Sequence, residues 1–119
     1  MKKMFLAFAF VSLGCGSPAQ QAGVGRECAA NEDCEENQQC LSFKGGYCGL
    51  EDCDTDADCP SGSACVIQDD DERYCFLLCG DKPECNAGRS ADAESNCSAN
   101  VEFAEAQDEG VKACVPPSA

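Results

Sequence analysis

Cysteine and aspartate are the residues of this chain with chemistry to offer, and they converge in Cys53–Cys65, CDTDADCPSGSAC. Asp54, Asp56 and Asp58 alternate as the first oxygen ligands of a calcium loop do. Such a loop also needs glycine at its sixth position for the sharp turn and a bidentate glutamate at its twelfth. Counted from Asp54, those positions are Cys59 and Cys65. Asn31, Glu32 and Asp33 hold the corresponding place earlier in the chain, so the alternation is not a shared feature. Zinc needs nitrogen or thiolate ligands. The chain has no histidine and no C-x-x-C pair, its closest gap being Cys75-x3-Cys79. Asp-rich turns between disulfides account for the stretch more simply, since Asp bonds nearby backbone N–H groups and Gly62 permits a tight bend. Weak calcium binding stands as an alternative; no metal site or cofactor is assigned.

The composition narrows the function further. Without histidine there is no Ser-His-Asp or Cys-His catalytic arrangement, and no glycine-rich phosphate loop occurs. A carboxylic acid needs a pocket to shift its pKa for acid–base work. The large apolar residues after position 20 are too few to build one. The reading is therefore non-enzymatic, with no catalytic residue. Eight basic against 22 acidic residues give a net charge of −14. That leaves no basic patch for nucleic acid and favours a soluble, acid-coated body.

The N-terminus reads MKKMFLAFAFVSLGCGSPAQ. Lys2 and Lys3 precede a short apolar run, Met4 to Leu13, in the layout of an export signal. The run is shorter than the ~20 residues a membrane-spanning helix needs. With Gly14-Cys15 directly after it, this segment resembles a bacterial lipoprotein signal. The resemblance implies a signal peptide over 1–14, lipidation of Cys15, and outer-membrane or cell-surface location, because no Asp follows Cys15. Several acyl chains on one cysteine would anchor the protein stably. The alternative is a secreted protein cut after Ala19. Either way the remaining twelve cysteines meet an oxidising compartment in even number.

Residues 15–27 read as the lipidated N-terminus and a flexible tether, rich in Gly, Ala, Gln and Pro. Three cystine units follow, 28–50, 51–78 and an expanded 79–119. Their cysteines are Cys28, Cys34, Cys40 and Cys48; then Cys53, Cys59, Cys65 and Cys75; then Cys79, Cys85, Cys97 and Cys114. The x5-x5 spacing of the first unit recurs in the second, the mark of duplicated units. Short extended runs around Lys44-Gly45-Gly46 and around Asp69-Asp70-Asp71-Glu72 predict a hairpin between the third and fourth cysteines of each of the first two units. In the third, Val101 and Phe103 alternate with Glu102 and Ala104, a turn at Asp108-Glu109-Gly110 follows, and Val111, Ala113 and Val115 alternate beyond it. That predicts a hairpin between these runs, with a short helix over 100–109 as the alternative. The fold class is thus small, disulfide-rich and irregular, with short β-hairpins and little regular structure. Phe76-Leu77-Leu78 is the most exposed apolar candidate, for an interface or for packing between units.

The pattern C-x-x-D-x-D-C-P-x-G-x-x-C, carried by Cys53, Asp56, Asp58, Cys59, Pro60, Gly62 and Cys65, resembles the N-terminal cysteine-rich module of Dickkopf proteins and the middle of whey-acidic-protein inhibitor modules. The adjacent cysteines of the inhibitor family are missing. By analogy with interleaved modules, the first cysteine of each unit pairs with the third and the second with the fourth. That implies Cys28–Cys40, Cys34–Cys48, Cys53–Cys65, Cys59–Cys75, Cys79–Cys97 and Cys85–Cys114. The function expected is a membrane-anchored, cysteine-rich surface module for interaction or structure. Its partners are the membrane, through its lipid, and a protein or surface ligand of unknown identity. A secreted inhibitor-like module is the alternative.

Overall fold

The structure is a computed structural model that describes residues 17–119. Cys15 and the expected signal peptide lie outside the described residues. Among the described residues the chain is a small disulfide-rich body with short antiparallel strands and two four-residue helices. Strands β1 (Gln39–Leu41) and β2 (Tyr47–Gly49) form one hairpin. Strands β3 (Ser63–Ile67) and β4 (Arg73–Cys79) form a second, longer one. Its turn has Asp71 at φ 65°, and Glu72 N–H donates to Asp70 Oδ1 at 2.9 Å. Aspartate tolerates that left-handed backbone and supplies the local bond, so an acidic run makes this turn.

The β3–β4 hairpin is the centre of a five-stranded antiparallel sheet. Strands β5 (Asn96–Ser98), β6 (Glu102–Phe103) and β7 (Lys112–Val115) complete it in the order β5-β7-β4-β3-β6. This corrects the hairpin expected in the third unit. Strand β7 pairs with β5, while β6 crosses to the outer edge of β3, where Phe103 faces Val66. The residues 100–109 are not helical either. The register shows why. Cys97 stands opposite Cys114, as Cys40 stands opposite Cys48 and Cys65 opposite Cys75. The third and fourth cysteines thus set the hairpin in every unit, and the inserted residues between them loop out to use a free strand edge. The turn at Asp108–Gly110 forms as expected, with Val111 N–H on Asp108 O at 3.3 Å and Gly110 at φ 85°.

One core serves all three units. Leu41 and Tyr47 come from the first, Val66, Phe76 and Leu77 from the second, and Cys85, Ala113 and Cys114 from the third. Tyr47 is fully buried. Its hydroxyl accepts from Leu77 N–H at 3.0 Å and donates to Cys114 O at 3.5 Å, joining the three. Burying a phenol demands such partners. The Phe43, Tyr47, Tyr74 and Phe76 rings pack against one another in edge-on, tilted and stacked pairs. Phe76 and Leu77 are therefore core, and Leu78 is only partly exposed. The run Phe76-Leu77-Leu78 serves packing between units rather than an exposed patch.

The expected flexible tether is also corrected. Residues from Ser17 onward form a docked strap that opens with helix α1 (Pro18–Gln21). Ser17 Oγ caps it, accepting from Gln20 N–H at 3.2 Å, and Pro18 opens the first turn, as proline does at helix starts. Ala19 and Val24 enter the core, at 0% and 3% exposure. Ala19 N–H donates to Ser61 O and Gly25 N–H to Cys48 O, each at 2.8 Å. The Gly and Ala content that reads as slack is here close packing: a Cβ on Gly25 would lie 3.3 Å from the Tyr47 hydroxyl.

Candidate functional site

Each unit is a clasp built the same way. The third and fourth cysteines face each other across a ladder, so their side chains share one face. The loop ahead of the ladder carries the first two cysteines across that face. The bonds formed are Cys28–Cys40, Cys34–Cys48, Cys53–Cys65, Cys59–Cys75, Cys79–Cys97 and Cys85–Cys114, with Cα separations of 5.5–6.0 Å. These are the pairs the interleaved analogy implies. Each closes a loop spanning 12 to 29 residues. In the chain-entropy model a closure of that size contributes about 3 kcal/mol, which a two-stranded hairpin needs to persist in water. The sulfurs of Cys28, Cys34 and Cys48 lie within 4.8 Å of one another, and so do those of Cys53, Cys59 and Cys75 and of Cys79, Cys85 and Cys114. As cystines they carry no thiolate charge for a metal.

An acidic residue locks each clasp. Asp33 Oδ2 accepts from Ala29 N–H at 2.8 Å and Ala30 N–H at 3.1 Å. Asp58 Oδ2 accepts from Asp54 and Thr55 N–H at the same distances. In the third unit Glu84 Oε1 takes Asp81 N–H at 2.9 Å and Gly80 N–H at 2.5 Å. These bonds favour the charged form and hold all three carboxyls below their ordinary pKa. Sequence reasoning missed this rule. Its signal was present, since Asp33, Asp58 and Glu84 each immediately precede the second cysteine of a unit. A second position, three residues after the first cysteine, ties loop to ladder in two units: Asn31 Oδ1 accepts from Cys40 N–H at 2.8 Å and Asp56 Oδ1 from Cys65 N–H at 3.0 Å. The third unit has Lys82 there, which cannot accept.

The alternating aspartates of Cys53–Cys65 thus have structural work. Asp56 Oδ2 accepts from Gln107 Nε2 at 2.6 Å, in addition to its bond from Cys65 and the two that Asp58 accepts. Three of the six carboxylate oxygens face N–H donors, the opposite of a cation cage. Gly62 adopts φ 99° in the bend that follows.

Arg89 is the other residue that nothing in the sequence singles out. It lies over the Tyr47 ring at 5.6 Å and donates to Gly25 O, Gly46 O, Lys44 O and Ala93 O at 2.6–3.1 Å. The planar guanidinium satisfies carbonyls from the strap, the first unit and the third at once. Glu27, which accepts from Ser90 N–H, helps balance its charge. Outside these contacts the surface offers an open cleft of about 460 Å³ between the β3–β4 turn and the β5–β6 link. Asn96, Ser98, Asn100 and Glu102 edge it, and Val66 and Val115 line it.

No protein-family model, curated protein or solved structure matches this chain.

Proposed function

We propose that this protein is an exported, non-enzymatic cystine module, held at the cell surface by lipid on Cys15, that acts through its folded surface as an interaction or structural element. The observation that carries the reading is that the twelve cysteines from Cys28 to Cys114 are all spent in six disulfides. Such bonds persist in oxidising compartments and are rare in the cytosol. Among the described residues no helix is long and apolar enough to cross a membrane. The carboxyls whose pKa moves are all pushed down, which suits structural caps rather than general acids. The polar cleft and the acidic β3–β4 turn are the surfaces such a module presents.

The test is intact mass of the protein from the membrane and culture fractions of its native host, alkylated with and without reduction. A membrane species beginning at Cys15, heavier by acyl chains, with twelve thiols freed only by reduction, is the expected result. A soluble species cut after Ala19 would replace the anchor by secretion. Thiols that alkylate before reduction would overturn the disulfide module itself.

A further inference from the structure

We infer that the folded body is seated directly on the bilayer through its Ser17–Ser61 end, with the β3–β4 hairpin pointing away from the lipid. This rests on the reading that Cys15 is lipidated. Only Gly16 separates Cys15 from the docked strap. The two steps from Cys15 to Ser17 span at most about 7 Å, whereas a free Gly-rich tether of about twelve residues would wander about 19 Å. The strap leaves no such slack. Ser17 packs on Gly62 so closely that a Cβ on Gly62 would sit 2.3 Å from Ser17 Oγ. Ala19 N–H holds Ser61 O, and Gln20 Nε2 holds Glu84 O at 3.1 Å. An anchor at Cys15 is therefore tethered within two residues of one point of the body, Ser17.

That point lies at the open end of the β3–β4 hairpin, where Leu78 N–H donates to Gly62 O at 2.9 Å. The turn Asp69-Asp70-Asp71-Glu72 closes the other end. At about 3.3 Å per residue along β3, the turn stands about 20 Å farther from the anchor. The charge distribution agrees. Ser17, Pro18, Pro60, Ser61 and Gly62 around the anchor point are neutral, and Pro18 and Ser61 are exposed. The acids beside them are Glu84, whose charged Oε1 is held by two backbone N–H groups, and the exposed Asp81, two scattered charges against the four consecutive ones of the turn. The four consecutive acids of the turn, which anionic headgroups repel, are all exposed at the far end. The occupant of the anchored face is thus the phospholipid headgroup layer, and the acidic turn is the part presented to the medium.

The chain contains no tryptophan, so one introduced Trp reports its own surroundings. Full-length Ser61→Trp, Pro18→Trp and Asp70→Trp proteins, purified from membranes, would be reconstituted in phosphatidylcholine vesicles with a nitroxide-labelled headgroup. Trp quenching several-fold stronger at positions 61 and 18 than at 70 is expected. A Gly/Ser insert of about ten residues between Gly16 and Ser17 should remove the difference, because it restores the slack of a coil. Equal quenching in acylated protein without the insert, or stronger quenching at 70, overturns the seating and leaves the anchor intact. Protein whose intact mass lacks acyl chains overturns the anchor itself, and the seating with it.

Discussion

Gly46 is where the clasp architecture can be tested with a single methyl group. It lies just before β2 at φ 75°, and a Cβ there would fall 2.1 Å from Cys28 O, 2.7 Å from Cys28 Sγ and 2.8 Å from Cys40 Sγ. Gly46→Ala therefore carries two penalties. The left-handed backbone costs an L-residue about 1–2 kcal/mol. The overlap with backbone and a cystine, neither free to swing aside, adds about 1–3 kcal/mol as overpacking does in tight cores. Gly110 separates the two. Its φ is 85°, close to that of Gly46, but nothing lies within 4 Å of where its added methyl would stand. Gly110→Ala should cost about 1–2 kcal/mol, and Gly46→Ala about 2–5 kcal/mol. Both lose the same unfolded-chain entropy, so that contribution cancels in the comparison. Equilibrium guanidinium unfolding of the oxidised proteins, read as midpoint at constant slope, measures the difference. Equal midpoints for the two variants would refute the close approach of the Phe43–Gly46 turn to the Cys28–Cys40 bond.

Two other perturbations test the remaining joints. Arg89→Lys keeps the charge but loses the planar fork, leaving some of the Gly25, Gly46 and Lys44 carbonyls without donors; a loss of about 1–3 kcal/mol in the same unfolding measurement is expected, and an unchanged midpoint would remove Arg89 from its joining role. The carboxyls of Asp33, Asp58 and Glu84 titrate below their ordinary range in the fold, so the stability they provide is present above the unfolded pKa of about 4 and is lost as pH falls through the depressed folded values. Asp58→Asn should melt below the parent protein at about pH 7, with the gap closing as pH falls through the depressed folded pKa and the parent carboxyl protonates; a gap that persists unchanged in strong acid would show that the Asp58 charge is not what holds the loop.

Legibility in the sequence followed the range of the forces involved. The hairpins of the first two units were readable because alternation and turn residues act within a few positions: Gly45-Gly46 and Asp69–Glu72 turn where their residue types require. The pairing of cysteines followed by analogy from their order. The acidic caps were readable too, as a repeated residue before each second cysteine, once the units are laid over one another. The strap was not. Small polar residues look the same whether they are solvated or wedged against Gly62 and Tyr47, and only the partner surface decides between the two.

By itself, then, the sequence determined a disulfide-rich body of three similar units, because even cysteine count, repeated spacing and a sparse set of apolar residues leave few other ways to offset chain entropy. Tertiary structure alone decided that the units share one core around Tyr47, that β6 leaves its own unit to pair with β3, and that Arg89 joins three segments. Each of these depends on atoms far apart in the chain finding an unfilled strand edge, an unpaired carbonyl or a buried hydroxyl. Residue type names what a group needs, and only the folded chain supplies the partner.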